Sequence, residues 1–154
     1  MVSIGKKFEE RFKYDWNNSF PDGTIDRLYD NMGGYLAISN VCDFICYNYP
    51  NIYYIECKTH KGASFPFTNL TQYDKIKMKV GLKGVRAGVI LWLYEKDKVF
   101  YIPIATIMKM KKDGKKSVGI RSLGEYDIIE IPSKKIRTYM ESDYSILDTL
   151  EEGM

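Results

Sequence analysis

The sequence predicts a mixed α/β domain, a β-sheet flanked by helices, and three observations carry that reading. Apolar residues recur at four-residue spacing in Ile4, Phe8, Phe12 and Trp16, which is one stripe of a helix. Two runs rich in aromatic and β-branched residues, Val41–Tyr47 and Ile52–Lys58, flank Asn48-Tyr49-Pro50-Asn51, a hairpin signature. Ala87–Tyr94 is a continuous apolar run of strand length, as expected of a central strand covered on both faces.

Taken in order, residues 3–17 form the first helix, ended by Asn17-Asn18 and Pro21-Asp22-Gly23. Ile25–Tyr29 reads either as a helical turn or as a short strand, and Gly33-Gly34 breaks it. After the hairpin comes a polar loop over Thr59–Pro66. Leu70–Leu82 has helical spacing at Leu70, Tyr73, Ile76 and Val80, with Gly81 and Gly84 at its end. Beyond the buried strand, Glu95-Lys96-Asp97-Lys98 turns the chain into a strand at Val99–Ile102. Pro103 then leads into a helix over Ile104–Met110. Ile128–Ile131 reads as a short strand, and Tyr144–Glu152 as a last helix capped by Ser142 or Asp143. No repeat, low-complexity stretch or long linker interrupts the series, so residues 1–154 are expected to form one domain.

With 45% hydrophobic residues the chain is too apolar for disorder, yet no apolar run approaches the roughly 18 residues of a membrane span. Charges stand near the N-terminus where a signal peptide needs its apolar segment, so a cytoplasmic protein with three free thiols is expected. The net charge of +3 hides a strong division. Residues 58–121 carry 15 Lys+Arg against 4 Asp+Glu, while the segments on either side are net acidic. The basic residues form two clusters, Lys75, Lys77, Lys79, Lys83 and Arg86, then Lys109, Lys111, Lys112, Lys115 and Lys116. Such a block suits a polyanion such as nucleic acid, and equally a solvated charged face.

The hairpin assembles a site. With Asn48–Asn51 as its loop, Tyr47 faces Ile52, Ile45 faces Tyr54 and Asp43 faces Glu56. Opposed side chains have Cβ atoms about 4.5–5.5 Å apart, so two carboxylates there repel each other. A divalent cation reverses the sign: Mg²⁺ takes oxygen ligands, commonly one or two carboxylates plus waters and substrate phosphate. Lys58 follows Glu56 on the same face, within reach of a phosphate oxygen or an attacking water. The first helix offers one further carboxylate. Glu9 lies at the edge of the buried stripe and can reach a site over the sheet, whereas Glu10 faces water.

Other features have a plainer reading beside the functional one. Cys42, Cys46, Cys57 and His60 resemble a zinc spacing. On a strand, however, Cys42 and Cys46 stand about 13 Å apart, too far to share one tetrahedral ion. All three thiols are expected on the face opposite Asp43 and Glu56, as small buried hydrophobes. His60 and Ser39 contact either phosphate or plain solvent. Tyr53 is expected in the core, and Tyr47 and Tyr54 either stack on bases or pack under the first helix.

Several segments taken together resemble the RecU-type Holliday junction resolvases, members with their archaeal Hjc counterparts of the PD-(D/E)XK nuclease superfamily. They are Gly5-Lys6-Lys7-Phe8-Glu9-Glu10-Arg11-Phe12, Asp43-Phe44-Ile45, Ile55-Glu56-Cys57-Lys58, Ser64-Phe65-Pro66-Phe67 with Asn69, and Gly114-Lys115-Lys116-Ser117-Val118. The resemblance spans residues 5–122. It implies a restriction-endonuclease-like mixed β-sheet flanked by helices, with a catalytic core over about 3–122 and a C-terminal strand and helix over 123–154. It also implies a homodimeric endonuclease that uses Mg²⁺, or Mn²⁺ in its place, to nick two opposed strands of a four-way DNA junction.

Asp43, Glu56, Lys58 and Glu9 fall on the family's catalytic positions, with Asp43, Glu56 and Glu9 as metal ligands. DNA contacts are expected from Lys61, Gln72, Lys75, Lys79, Lys83, Lys112, Lys115 and Lys116. Gln72 stands three residues past Asn69, where the family carries its Gln about five past. Phe65 and Phe67 either wedge into the junction, pack between subunits or staple the next helix. Dimer surfaces are sought at Phe65–Phe67, at Val99–Ile102 if that strand is an edge, and on the Ile104–Met110 helix. The short length resembles a phage-encoded version, working in the host cytoplasm. The competing readings are another nuclease of the same superfamily, restriction-like or branch-trimming, and a non-catalytic DNA-binding module on the same fold.

Overall fold

The structure is a computed structural model that describes residues 2–29, 40–151 and 154. Its centre is a six-stranded sheet in the order β1 (Thr24–Arg27), β2 (Phe44–Asn48), β3 (Asn51–His60), β5 (Val85–Leu93), β6 (Lys98–Pro103) and β8 (Ile129–Glu130). All neighbours run antiparallel except β3 and β5, which are parallel, so the sheet is mixed. Strand β5 supplies the reason: it is buried from Arg86 to Leu93, with both faces covered. Two small two-stranded sheets sit beside the main one. One pairs β4 (Ser64–Pro66) with β7 (Ser117–Gly119), and the other pairs β9 (Ser133–Ile136) with β10 (Tyr139–Ser142).

Helix α1 (Ile4–Ser19) starts at Ser3, whose hydroxyl caps the N–H of Lys6. Its stripe of Phe8, Phe12 and Trp16 packs on Phe44, Cys46, Tyr53, Ile55, Cys57 and Trp92 to make one core. The opposite face of the sheet carries a second core. Val89, Leu91, Leu93, Phe100 and Ile102 meet Phe65, Phe67, Leu70, Ile76 and the helix α3 (Ile104–Lys112) there. Among the described residues no helix is long and apolar enough to cross a membrane.

Several expectations are corrected. Of the two readings of Ile25–Tyr29 the strand holds, over Thr24–Arg27, with Arg27 paired to Phe44 at its end. The helix expected over Leu70–Leu82 is instead a 3₁₀ turn (Phe67–Asn69), a single α turn, α2 (Tyr73–Ile76), and a second 3₁₀ turn (Lys77–Lys79). Leu70 and Val80, with ψ of 80° and 138°, interrupt it because both turn inward to the second core. A segment that short gains its order from such packing rather than from helix propensity. The last helix is a 3₁₀ stretch over Tyr144–Thr149, capped by Asp143, which accepts from the N–H of Ser145. The β9–β10 hairpin was not foreseen; only Met140 and Ser142 are buried in it, and Lys134, Lys135 and Glu141 are exposed, so it shows no clean apolar alternation.

The three apolar surfaces considered for a dimer belong to the protomer's own interior. Phe65 and Phe67 are 3% and 6% exposed in the second core, so neither ring stands out as a wedge. Val99–Ile102 lies between β5 and β8 rather than at an edge, and Ile104, Ile107 and Met110 face inward, which leaves Met108 alone of the helix's large apolar side chains exposed. Arg86, grouped by sequence with the first lysine cluster, is buried. It donates to the carbonyls of Leu147 (2.7 Å) and Leu150 (2.9 Å), clamping the C-terminal segment. Gly33-Gly34 and Ser39 lie outside the described residues.

Candidate active site

The hairpin register is the one the loop length dictates: Tyr47 opposes Ile52, Ile45 opposes Tyr54, and the ladder ends at Phe44 opposite Ile55. One step further, Asp43 comes beside Glu56. Asp43 Oδ2 accepts the backbone N–H of Cys57 (2.9 Å), which fixes its carboxylate at the mouth of β2 and β3. Glu56 is 1% exposed, and its carboxylate meets that of Asp43. Lys58 Nζ stands 3.4 Å from Glu56 Oε2 on the same side of the strand. Glu56 Oε1 is buried with no hydrogen-bond partner. Burial first, and then the Asp43 charge, push the Glu56 carboxyl up to about 8, and Lys58 opposes the shift.

A buried carboxylate oxygen without a donor is costly, and a neighbouring second carboxylate adds to the cost. An oxygen-seeking dication would relieve both, so the donor set fits Mg²⁺ or Mn²⁺, held by Asp43 and Glu56. It is a two-carboxylate set. Among the described residues no three His, Cys, Asp or Glu side chains come together closely enough to cage an ion.

Glu9 is the further carboxylate expected at the site from the first helix. It comes from α1, on the opposite face of the sheet from Glu56, and reaches the site around the sheet's end. There Glu9 Oε2 pairs with Arg27 Nη2 at 3.0 Å. Arg27 Nη1 reaches Asp43 Oδ1 at 3.0 Å and the Asp43 carbonyl at 3.2 Å. The helix carboxylate is thus joined to Asp43 through a guanidinium. Burial and then the Asp43 charge raise the Glu9 pKa, and Arg27 works against them.

Sequence reasoning missed Arg27. Its pairing partner is separated from it by a long connection, so no loop length fixes a register as it does for the hairpin. The nearest signal was the strand alternative for Ile25–Tyr29, which lays Arg27 at a strand end.

Parity along the strands explains two further corrections. Tyr53, not Tyr54, lies under the first helix, its ring 5.0 Å from that of Trp16. Tyr54 shares the Glu56 side and has Lys79 Nζ 5.0 Å from its ring centre. Cys46 and Cys57 lie in the first core as expected, but Cys42 lies in the second. It precedes the regular strand, so alternation does not reach it, and its thiol donates to the carbonyl of Phe44. The three thiols are buried and free, with pKa values pushed up chiefly by burial. His60 ends β3 with its ring edge-on to Phe65.

The two lysine clusters, thirty residues apart in sequence, converge. Lys111 Nζ sits 3.9 Å from the Tyr73 ring centre and Lys77 Nζ 5.4 Å from it. Because Tyr54, Lys79 and Glu56 share one side of the sheet, the convergence lies on the same side as the carboxylate pair. Lys61, Lys75, Lys83, Lys112, Lys115 and Lys116 are exposed, and Lys79 and Gln72 half-buried. Gln72 precedes α2, its side-chain oxygen accepting from the Thr71 hydroxyl (2.8 Å).

No family model and no curated protein matches the chain. Among solved structures it is similar to the Hjc of Archaeoglobus fulgidus, described as a Holliday junction resolvase from an archaeal hyperthermophile. The TM-score is 0.58 at 15% identity, over 79% of this chain and 93% of that one. The fold, a mixed sheet flanked by helices, is therefore the restriction-endonuclease-like fold of that protein.

Proposed function

We propose that the chain is a metal-dependent endonuclease that resolves four-way DNA junctions as a homodimer. The observation that carries this reading is Glu56: a buried carboxylate beside Asp43, with one oxygen unpaired and Lys58 at its other. Neither a structural hairpin nor a plain DNA-binding surface has use for that arrangement. A Mg²⁺ or Mn²⁺ held by Asp43 and Glu56 would polarise the scissile phosphate and make a water more acidic. Lys58 places its ammonium where negative charge builds on the phosphate. Glu9 and Arg27 orient Asp43 from outside the pair. The converging lysines hold flanking phosphates on the same side, with Lys61, Gln72, Lys75, Lys79, Lys83, Lys112, Lys115 and Lys116 as contacts.

The fold shared with an archaeal resolvase supports branched DNA as substrate. Two symmetric nicks need two sites, and each chain carries one, so a two-fold dimer supplies the geometry. Its interface must differ from the surfaces considered first. Exposed apolar side chains gather at the tip of the β2–β3 hairpin, where Tyr47, Tyr49 and Ile52 stand with Leu82 beside Pro50. A stable dimer there should bury more than about 1,000 Å² in total.

The test is incubation with Mg²⁺ and labelled junction, duplex, flap and single-stranded DNAs. Paired symmetric nicks confined to the junction are expected. Equal cutting of duplex would favour a restriction-like enzyme of the same fold, and binding without cutting a DNA-binding module.

A further inference from the structure

Both carboxylate oxygens of Asp43 already have a partner. Its Oδ2 holds the Cys57 N–H at 2.9 Å, and its Oδ1 holds Arg27 Nη1 at 3.0 Å. The same guanidinium nitrogen is bound to the Asp43 carbonyl, and the other terminal nitrogen to Glu9. The Phe44 and Tyr29 rings lie 5.2 Å and 5.7 Å from the guanidinium carbon. Arg27 is therefore a fixed positive charge at an oxygen that an incoming ion must use. Its outer side faces a cleft of about 210 Å³. Two α1 lysines, Lys6 and Lys13, also line that cleft with the carboxylates Glu9 and Glu10, so three cations face it against two anions, and Glu9 is already paired with Arg27.

We propose that Arg27 is an internal counter-cation: it competes with the divalent ion for Asp43, and a DNA phosphate entering the Lys6–Lys13–Arg27 cleft relieves that competition. Guanidinium binds phosphate in the same two-pronged way as it binds carboxylate, so the exchange loses little for Arg27. It removes a repelling charge from the ion's side of Asp43. Ion and DNA then bind cooperatively, and by linkage each strengthens the other by the same factor. The free protein is a poor ion binder and hence a quiet nuclease until DNA is in place. This inference rests on the reading of Asp43 and Glu56 as the ion's ligands.

Calcium titration by calorimetry tests it without cleavage, on the full chain, with and without a saturating junction. Arg27→Met keeps the side chain's bulk and removes its charge. In the absence of DNA it should bind Ca²⁺ about tenfold more tightly than the unaltered protein, the scale of one nearby charge in a half-buried site. The strengthening that DNA brings should shrink by the same factor. Arg27→Lys, which keeps the charge but not the fork, should fall between the two and guards against a loss of fold in the Met variant. Asp43→Asn should abolish Ca²⁺ binding. If Asp43→Asn changes nothing, the ion site itself is wrong and the counter-cation falls with it. If Asp43→Asn abolishes binding while both Arg27 variants bind Ca²⁺ like the unaltered protein, only the counter-cation is overturned.

Discussion

Asp15 and Glu56 are carboxylates buried to the same degree, 2% and 1% exposed, on opposite sides of the molecule. Asp15, on α1, is fully served. Arg11 Nη2 lies 2.8 Å from its Oδ1, and the Ser142 N–H donates to its Oδ2 at 3.0 Å, tying the helix to β10. Glu56 has one ammonium at 3.4 Å, a second carboxylate beside it and an oxygen with no donor at all. Burial raises both carboxyl groups, so perturbed acidity does not tell them apart. Satisfaction does. A buried charge that the fold has paired holds elements together, and one that the fold leaves short of partners calls for a reason other than stability, which the proposed ion site supplies.

Substitution at each residue should separate the two roles cleanly. Glu56→Gln should lower junction cleavage by at least about 10²–10³-fold, the scale of losing one electrostatic group at a reacting centre. It should leave the fold as stable or more stable, since it removes a strained charge. Asp15→Ala should do the reverse. It should cost about 2–4 kcal/mol by leaving the Ser142 N–H unpaired and Arg11 with only its 3.9 Å contact to Glu141, with cleavage per folded molecule intact. Denaturant unfolding and initial cleavage rates, measured on both variants, check this. A Glu56→Gln variant that cuts normally would undo the contrast.

Protonation sharpens the comparison further. The Glu56 carboxyl titrates higher in the folded, ion-free protein than in the unfolded chain, so the folded state binds more protons between about pH 4.5 and 8. Stability should therefore fall as pH rises through that window. Glu9 and Asp15 are raised too and contribute in the same direction. Thermal unfolding in EDTA should show a midpoint dropping by several degrees across the window, each kcal/mol being worth about 2–4 °C in a chain of this size. Glu56→Gln should remove the largest share of that slope. Added Mg²⁺ should flatten it as well, because an ion at the site keeps the carboxylate charged. A slope unmoved by either would assign the pH dependence to Asp15 and Glu9.

How far such features were legible depended on whether chain connection fixed them. Asp43 beside Glu56 followed from a tight hairpin and strand alternation: the four-residue loop expected over Asn48–Asn51 closes to a two-residue turn with Asn48 paired to Asn51, which leaves the register unchanged. The β5 strand followed from its unbroken apolar run. Arg27 did not, since the connection from β1 to β2 is long and only tertiary pairing sets its register. The Leu70–Leu82 segment misled because its apolar spacing is helical. Its inward residues, however, meet a core that bends the chain at Leu70 and Val80. Composition could not separate Arg86 from its lysine neighbours. The difference lies in two carbonyls contributed from more than sixty residues away.

The contrast between served and unserved charge extends to the cations, where it yields the smallest and last expectation. Arg86 is buried with its donors spent on Leu147 and Leu150, so Arg86→Met should loosen the C-terminal segment by about 1.5–3 kcal/mol. It should leave the salt dependence of DNA binding untouched. Lys112 ends α3, and Lys115 and Lys116 follow on a loop whose backbone is held by Met110 and Phe67; all three are exposed, and their ammonium groups make no ion pair among the described residues. Replacing all three with Ala should leave stability within about 0.5 kcal/mol. If each neutralises a duplex phosphate, the log–log salt slope of binding should flatten by about 0.9 for each one, close to three units together. Fluorescence anisotropy with a labelled junction between about 50 and 200 mM salt resolves a change of that size. A slope unchanged in the triple variant but reduced by Arg86→Met would mean that the buried cation faces DNA and the exposed ones do not, inverting the rule drawn from Asp15 and Glu56.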